Sequence, residues 1–306
     1  MNAPAPHIDL AAQRTRAGLL FGLAAYGLWG VLPIYFKLLL AVPAVDIVAH
    51  RIVWSLVALA LLVTILGAWG EVQTAIRRRR TLALLMLSAL LIGVNWLLYI
   101  YAINSGHILA GSLGYYLNPL ANILLGRFIL KERLSRLQWA AVAIAAGGIS
   151  VLLAGAVGTL WISLTLCFTF ATYGLIRKVV PVDSLAGLTI ETMLLAPLAV
   201  GWLLLGGTSA ATQFGSDPTQ TTLLIATGII STVPLLCFTA AARRLPYATV
   251  GMLQFIAPTL QFALAVAVYG EAFTRAHAIA FAAIWTALAL YVVALVGQRR
   301  RLGLAS

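Results

Sequence analysis

Charge is scarce in this chain of 306 residues: 9% are Asp, Glu, Lys or Arg, against about 25% in soluble domains. So small a polar fraction cannot coat a water-facing globule. The chain is instead 62% hydrophobic with a mean hydropathy of +1.01, and lipid is the solvent that suits it. Acid is scarcer than base, 8 Asp and Glu against 20 Lys and Arg, for a formal charge of +12. A nucleic-acid binder would gather that excess into one patch. Here the basic residues fall in short clusters between apolar runs, the placement that fixes membrane orientation. The two cysteines, Cys167 and Cys237, lie inside apolar runs and read as small core residues without a redox role. The four histidines, His7, His50, His107 and His277, show no ligand spacing, and neither HExxH nor GxSxG occurs. The sequence therefore implies no metal, no cofactor, no nucleic-acid partner and no enzyme.

What is present is long apolar runs. A bilayer core about 30 Å thick takes about 20 apolar residues in a helix. Ten runs approach that length: Ala17–Phe36, Val45–Leu66, Leu82–Ile103, Ile108–Leu130, Leu137–Ala156, Leu160–Ile176, Ala186–Gly206, Leu223–Ala242, Pro246–Tyr269 and Ala276–Val296. The first follows a polar stretch with Pro4, Pro6, Arg14 and Arg16. It is longer than a signal-peptide core and is expected to stay as an uncleaved span. The connections are short and rich in breakers, as in Val42-Pro43 and Asn104-Ser105-Gly106, and only Gly207 to Gln220 has the length of a longer loop. With the N-terminus inside, 17 of the 20 Lys and Arg fall on the inner side, including Arg77 to Arg80, Lys131, Arg133, Arg136, Arg177-Lys178, Arg243-Arg244 and Arg299 to Arg301. Lys37 and Arg275 fall outside. The expected fold is an all-α integral membrane protein of ten transmembrane helices, with both termini cytoplasmic in a bacterial-type inner membrane.

The chain also repeats itself at an offset of 139: Pro119, Glu132, Arg136, Ala141 and Ala143 recur as Pro258, Glu271, Arg275, Ala280 and Ala282. Polar positions follow the same register, Tyr115 with Gln254 and Asn122 with Gln261. Each half then holds five spans. An odd count makes the second half enter from the opposite face, the inverted repeat that underlies alternating access in many carriers. The expected division is a cytoplasmic tail at 1–16, a first repeat at 17–156, a second at 157–297 and a basic tail at 298–306.

Several local motifs carry a resemblance. They are Tyr26-Gly27-Leu28-Trp29-Gly30 in the first span, His50-Arg51 in the second, Asn118-Pro119 in the fourth and Lys131-Glu132-Arg133-Leu134 after it. On these the whole chain resembles an EamA-domain member of the drug/metabolite transporter superfamily. The stretch from Arg16 to Trp54 is most similar to the RarD-type branch. The resemblance implies a small-solute transporter with a central cavity and leaves the cargo open. One departure stands out: the repeat usually ends in Gly-Glu, which Gly270-Glu271 keeps and Lys131-Glu132 does not.

Amides facing lipid are costly. Asn95, Asn118, Asn122, Gln254 and Gln261 therefore either bond neighbouring helices or line a shared polar cavity, and as a set they fit the cavity. Tyr26, Trp29, Tyr99, Tyr115 and Tyr173 lie on the same helix faces or beside them and complete the candidate lining. Pro33, Pro119, Pro234 and Pro258 are candidate kinks, each removing a backbone donor. Buried charge is rare. Arg51 and Glu191 each lie roughly 10 Å deep in a span, and with His50 they are the candidates for coupling or a buried charge. A neutral, amide-rich and aromatic cavity fits a zwitterion, so export or exchange of amino acids or similar metabolites leads. Drug efflux of the chloramphenicol type is the rival within transport, and a non-transporting membrane scaffold or receptor the rival outside it. The partners expected are a small-molecule substrate and the bilayer; one chain suffices, and an oligomer is allowed.

Overall fold

The computed structural model describes residues 10–39, 41–104, 108–153, 158, 160–205, 214–268 and 275–301. Gly270 and Glu271 lie outside them. Among the described residues there are helices and turns and no strand. The helices run α1 Leu10–Lys37, α2 Ala44–Ile65, α3 Trp69–Arg77, α4 Arg79–Asn104, α5 Ile108–Phe128, α6 Arg136–Leu153, α7 Leu160–Val179, α8 Ser184–Leu204, α9 Pro218–Arg244, α10 Tyr247–Gln254, α11 Ile256–Ala267 and α12 Arg275–Arg301. Seven of them, α1, α2, α4, α7, α8, α9 and α12, are long and apolar enough to cross a membrane. Leu198, Leu204 and Leu205 are 71%, 81% and 92% exposed. Such leucines are costly in water and at no cost in lipid.

The helix ends follow from local chemistry. Asp183 and Asp217 cap α8 and α9, accepting from Leu185 N at 3.2 Å and Thr219 N at 2.8 Å, with Pro218 at the first position of α9. Ser135 and Gln138 form a reciprocal capping box at the start of α6: Ser135 N donates to Gln138 Oε1 at 2.8 Å, and Gln138 N to Ser135 Oγ at 3.2 Å. Lys131 has φ +57°. This left-handed backbone favours glycine, and the repeat-equivalent position is Gly270. The departure from Gly-Glu thus places a side chain where the turn asks for none.

Three features depart from the sequence reading. The connection after α2 holds a helix, α3, whose Val72 and Ala75 are buried against Val180, Val182, Ala186 and Ile190; too short to span, it packs along α8. The ninth apolar run divides at Phe255 into α10 and α11, because Pro258 offers no N–H to the carbonyl of Gln254. Arg177 and Lys178, read as an inner connection, lie inside α7, and Arg177 is fully buried.

Helices from the two parts of the chain interleave. α1 packs on α9 and α4 on α7; α5 packs on α7 and α1 on α11; α2 packs on α8, α5 on α10 and α6 on α12. Small residues set the closest approaches. A Cβ on Gly251 would stand 2.6 Å from the Pro119 carbonyl oxygen, and one on Gly228 2.4 Å from the Trp54 backbone carbon. The charged loop after α5 is tied across this interface. Glu132 accepts from Tyr247 N at 2.6 Å and Ala248 N at 3.0 Å, placing a carboxylate on the N-terminus of α10. Lys178 Nζ donates to the last carbonyls of α9, Ala242 at 3.0 Å and Leu245 at 2.5 Å.

Candidate functional site

Five helices, α2, α4, α7, α8 and α9, line a cavity. Arg51, Ile52 and Ser55 come from α2, Ile92 and Trp96 from α4, and Tyr173 from α7. Leu188, Glu191, Thr192 and Leu195 come from α8, and Thr232 and Leu235 from α9. The space open to a water centre is about 20 Å³, enough for one water.

The cavity is charged, which corrects the expectation of a neutral one. Of the sequence candidates, Arg51, Tyr173 and Glu191 meet here. The Arg51 guanidinium lies 3.9 Å from the Trp96 ring centroid, a cation–π contact. Arg51 sits two turns into α2 and faces the bundle, where its long side chain gives up the headgroups for an aromatic face. Glu191 is buried and accepts from the Ser88 hydroxyl. Its Oε1 lies 3.6 Å from Arg177 Nε. Arg177 is held in turn by the Ser184 carbonyl, 3.2 Å from Nη2. Gly187, one turn before Glu191, makes the room: a Cβ there would stand 2.0 Å from Arg177 Nη1. Glu191 Oε2 and Thr232 Oγ1 are buried and meet no hydrogen-bond geometry among the described residues.

The amides lie elsewhere. Asn95 Nδ2 donates to the Leu166 carbonyl and to Thr169 Oγ1, both at 2.9 Å, while its Oδ1 accepts from Tyr115 at 3.0 Å. Asn122 Nδ2 donates to Gln254 Oε1 at 2.8 Å, joining α5 to α10. Gln261 Nε2 reaches the Trp29 carbonyl at 2.9 Å, joining α11 to α1. In this conformation these amides join helices and none lines the cavity. Asn118 is fully buried, and neither its Nδ2 nor its Oδ1 finds a partner among the described residues. Tyr26, Trp29 and Tyr173 surround Phe238 at centroid distances of 6.3, 5.7 and 6.1 Å, and Tyr99 packs edge-on against Tyr115 at 5.3 Å. His50 stacks on Phe214 at 4.7 Å, away from the cavity. Pro33, Pro119 and Pro234 sit within helices that continue past them, whereas Pro258 follows the break at Phe255. Sequence reasoning missed Ser88, Arg177 and Gly187 as the surroundings of Glu191. The available signal was that a buried carboxylate needs a cation, and Arg177 stands just across the Pro181 turn.

The EamA-like transporter family's sequence profile matches residues 16–154. Protein RarD of Escherichia coli is 46% identical over 291 residues, covering 95% of this chain and 98% of that one. The chain belongs to the EamA-like transporter family. An uncharacterized transporter of Pseudomonas aeruginosa, PA0485, is 47% identical over 287 residues, 92% of this chain and 95% of that one. A second protein of that organism, called chloramphenicol-sensitive protein RarD, is 36% identical over 278 residues, 89% and 92% of the two chains. A solved crystal structure at 20% identity superposes with a TM-score of 0.71, over 91% of this chain and 98% of its own, and shares the fold. This EamA-like chain is thus a multi-pass membrane transporter whose described helices line a charged cavity.

Proposed function

We propose that the chain is a ten-span secondary transporter that exports or exchanges amino acids or similar small zwitterionic or aromatic metabolites by alternating access. The observation that carries this reading is the cavity with Arg51 and Glu191 on its wall. A zwitterion brings a carboxylate for the guanidinium and an ammonium for the Glu191 carboxylate and Thr232 Oγ1. Trp96 and Tyr173, with Ile92 and the leucines, suit an apolar or aromatic side chain.

Ten spans follow when α5 and α6 are added to the seven long apolar helices and α10 with α11 serves as one. The helix contacts support two halves, at 17–156 and 157–297. Exchanging each span with the one five places on turns α1 on α9 into α7 on α4, and α5 on α7 into α10–α11 on α1, and returns α2 on α8, α5 on α10 and α6 on α12 to themselves. Five spans per half would invert the second, and the basic residues support both termini inside. Arg51 and Glu191, 140 positions apart, then stand at near-equivalent places of the two halves with opposite charge.

The test is flux of radiolabelled amino acids into proteoliposomes of the purified protein, with counterflow from preloaded vesicles. Saturable uptake that Arg51→Gln abolishes is expected; no uptake of any amino acid overturns the reading. Efflux of a chloramphenicol-type drug is the second reading, favoured by the name of the 36%-identical relative. It is separated by resistance of cells expressing the chain.

A further inference from the structure

The two charges on the cavity wall are not equivalent. Glu191 has its cation: Arg177 Nε stands 3.6 Å from its Oε1, the one ion pair among the described residues. Ser88 donates to the same carboxylate, and Gly187 leaves the space in which Arg177 fits. That cluster is balanced by the chain's own groups. Arg51 has no such balance. It makes no ion pair among the described residues, and its contact is with the Trp96 ring. A quadrupole attracts a cation but does not neutralise it. An unpaired charge inside a bundle in lipid is expensive, and the guanidinium fork matches a carboxylate in two parallel hydrogen bonds.

The geometry points to Arg51 as an obligatory carboxylate seat, so that the transported solute must carry a carboxylate while its ammonium is dispensable. The inference rests on the transport reading above and sharpens it. Substrates extend from amino acids to organic monocarboxylates that lack the amino group, and exclude amines and neutral drugs that lack the acid. Trp96 positions the seat by holding the guanidinium plane. The apolar wall of Ile92, Leu188 and Leu235 takes the rest of the molecule.

Three probes of nearly one shape separate the groups: L-phenylalanine, 3-phenylpropionate without the ammonium, and 2-phenylethylamine without the carboxylate. Binding is measured by calorimetry and by thermal midpoint on the full chain in lipid nanodiscs, with sodium chloride at equal concentration as the control anion. Phenylalanine and phenylpropionate are expected to bind and raise the midpoint; the amine and chloride are not. Arg51→Gln should weaken phenylpropionate by about 30-fold or more, as loss of one partner of a buried charge pair does, and Arg51→Lys should recover part of it. Should Arg51→Gln fail to fold, the wild-type protein supplies a second measurement. Phenylglyoxal modification of Arg51, read by peptide mass spectrometry, should be slowed by phenylpropionate and not by the amine. The inference is overturned if the amine binds as tightly as the acid, if the Gln variant binds the acid unchanged, if chloride alone protects Arg51, or if no carboxylate probe binds. Phenylpropionate bound through Arg51 with no flux of any probe would overturn the transport reading and leave the seat standing. Phenylalanine carried, with phenylpropionate neither bound nor protective, would do the reverse.

Discussion

Replacing Glu132 by Gln tests the tie between the loop after α5 and the N-terminus of α10. The carboxylate accepts from Tyr247 N at 2.6 Å and Ala248 N at 3.0 Å. Hydrogen bonds to a charged group are worth about 1.5–3 kcal/mol each, and an anion at a helix N-terminus adds about 0.3–1 kcal/mol. Gln keeps one acceptor oxygen and loses the second bond together with the charge. Glu132 is half-buried, so solvent screens part of this, and a loss of about 2 kcal/mol remains. Near 2 °C per kcal/mol for a chain of this size, the midpoint should fall by about 4 °C. The assay is thermal unfolding in detergent followed with a thiol-reactive dye, since Cys167 is buried until the fold opens. Gly126→Ala should act in the same direction, because a Cβ there meets Glu132 Oε2 at 2.7 Å. A Glu132→Gln midpoint within about 1 °C of wild type would refute the reasoning, showing that water replaces the carboxylate at no cost.

Lys131→Gly should raise the same midpoint, by about 1–2 °C, because it relieves a left-handed residue at a cost in chain entropy of about half the gain; a fall would mean that the Lys131 side chain contributes more than its backbone costs. Gly187→Ala should destabilise by more than an ordinary surface change, about 2 kcal/mol or more, since the new methyl meets the Arg177 guanidinium at 2.0 Å, and Arg177→Met should restore part of the loss. Glu191→Gln leaves Arg177 buried without its counter-ion and should cost about 3 kcal/mol; the double variant with Arg177→Met should be the more stable of the two, read by the same dye. Asn122→Leu and Gln254→Leu should each destabilise, while the pair together costs less than the sum, as coupling across 2.8 Å requires.

The seven long apolar helices were legible because length and hydropathy mark them without knowledge of neighbours. The polar partners were not, because they join residues far apart in the chain. Ser88 meets Glu191 across 103 positions, and Asn95 meets the Leu166 carbonyl across 71. An amide's need for a partner can be read from its sequence context, but a backbone carbonyl on another helix leaves no mark by which to find it. Hence Asn95, Asn122 and Gln254 read as solute-facing, whereas they hold helices together. Arg177 was misplaced for a related reason. Basic residues at the end of an apolar run usually mark the membrane surface, and only the nearby Glu191 turns this one inward. The cavity's composition differs accordingly: Asn95, Asn122 and Gln254 join helices outside it, while Arg51 and Glu191 stand on its wall.

The joint at Phe255 has a mechanical consequence. The helix α5 passes Pro119 unbroken, whereas the run that holds Pro258 divides at Phe255. Below the joint, α10 is pinned at its start by Glu132 and wedged through Gly251 against the Pro119 carbonyl. Above it, α11 packs on α1, where Gln261 bonds the Trp29 carbonyl, and its Pro258 carbonyl accepts from Tyr116 of α5 at 3.4 Å. The two arms beside Phe255 are thus held by different means, one by a carboxylate and a close backbone approach, the other by an amide bond and packing on α1.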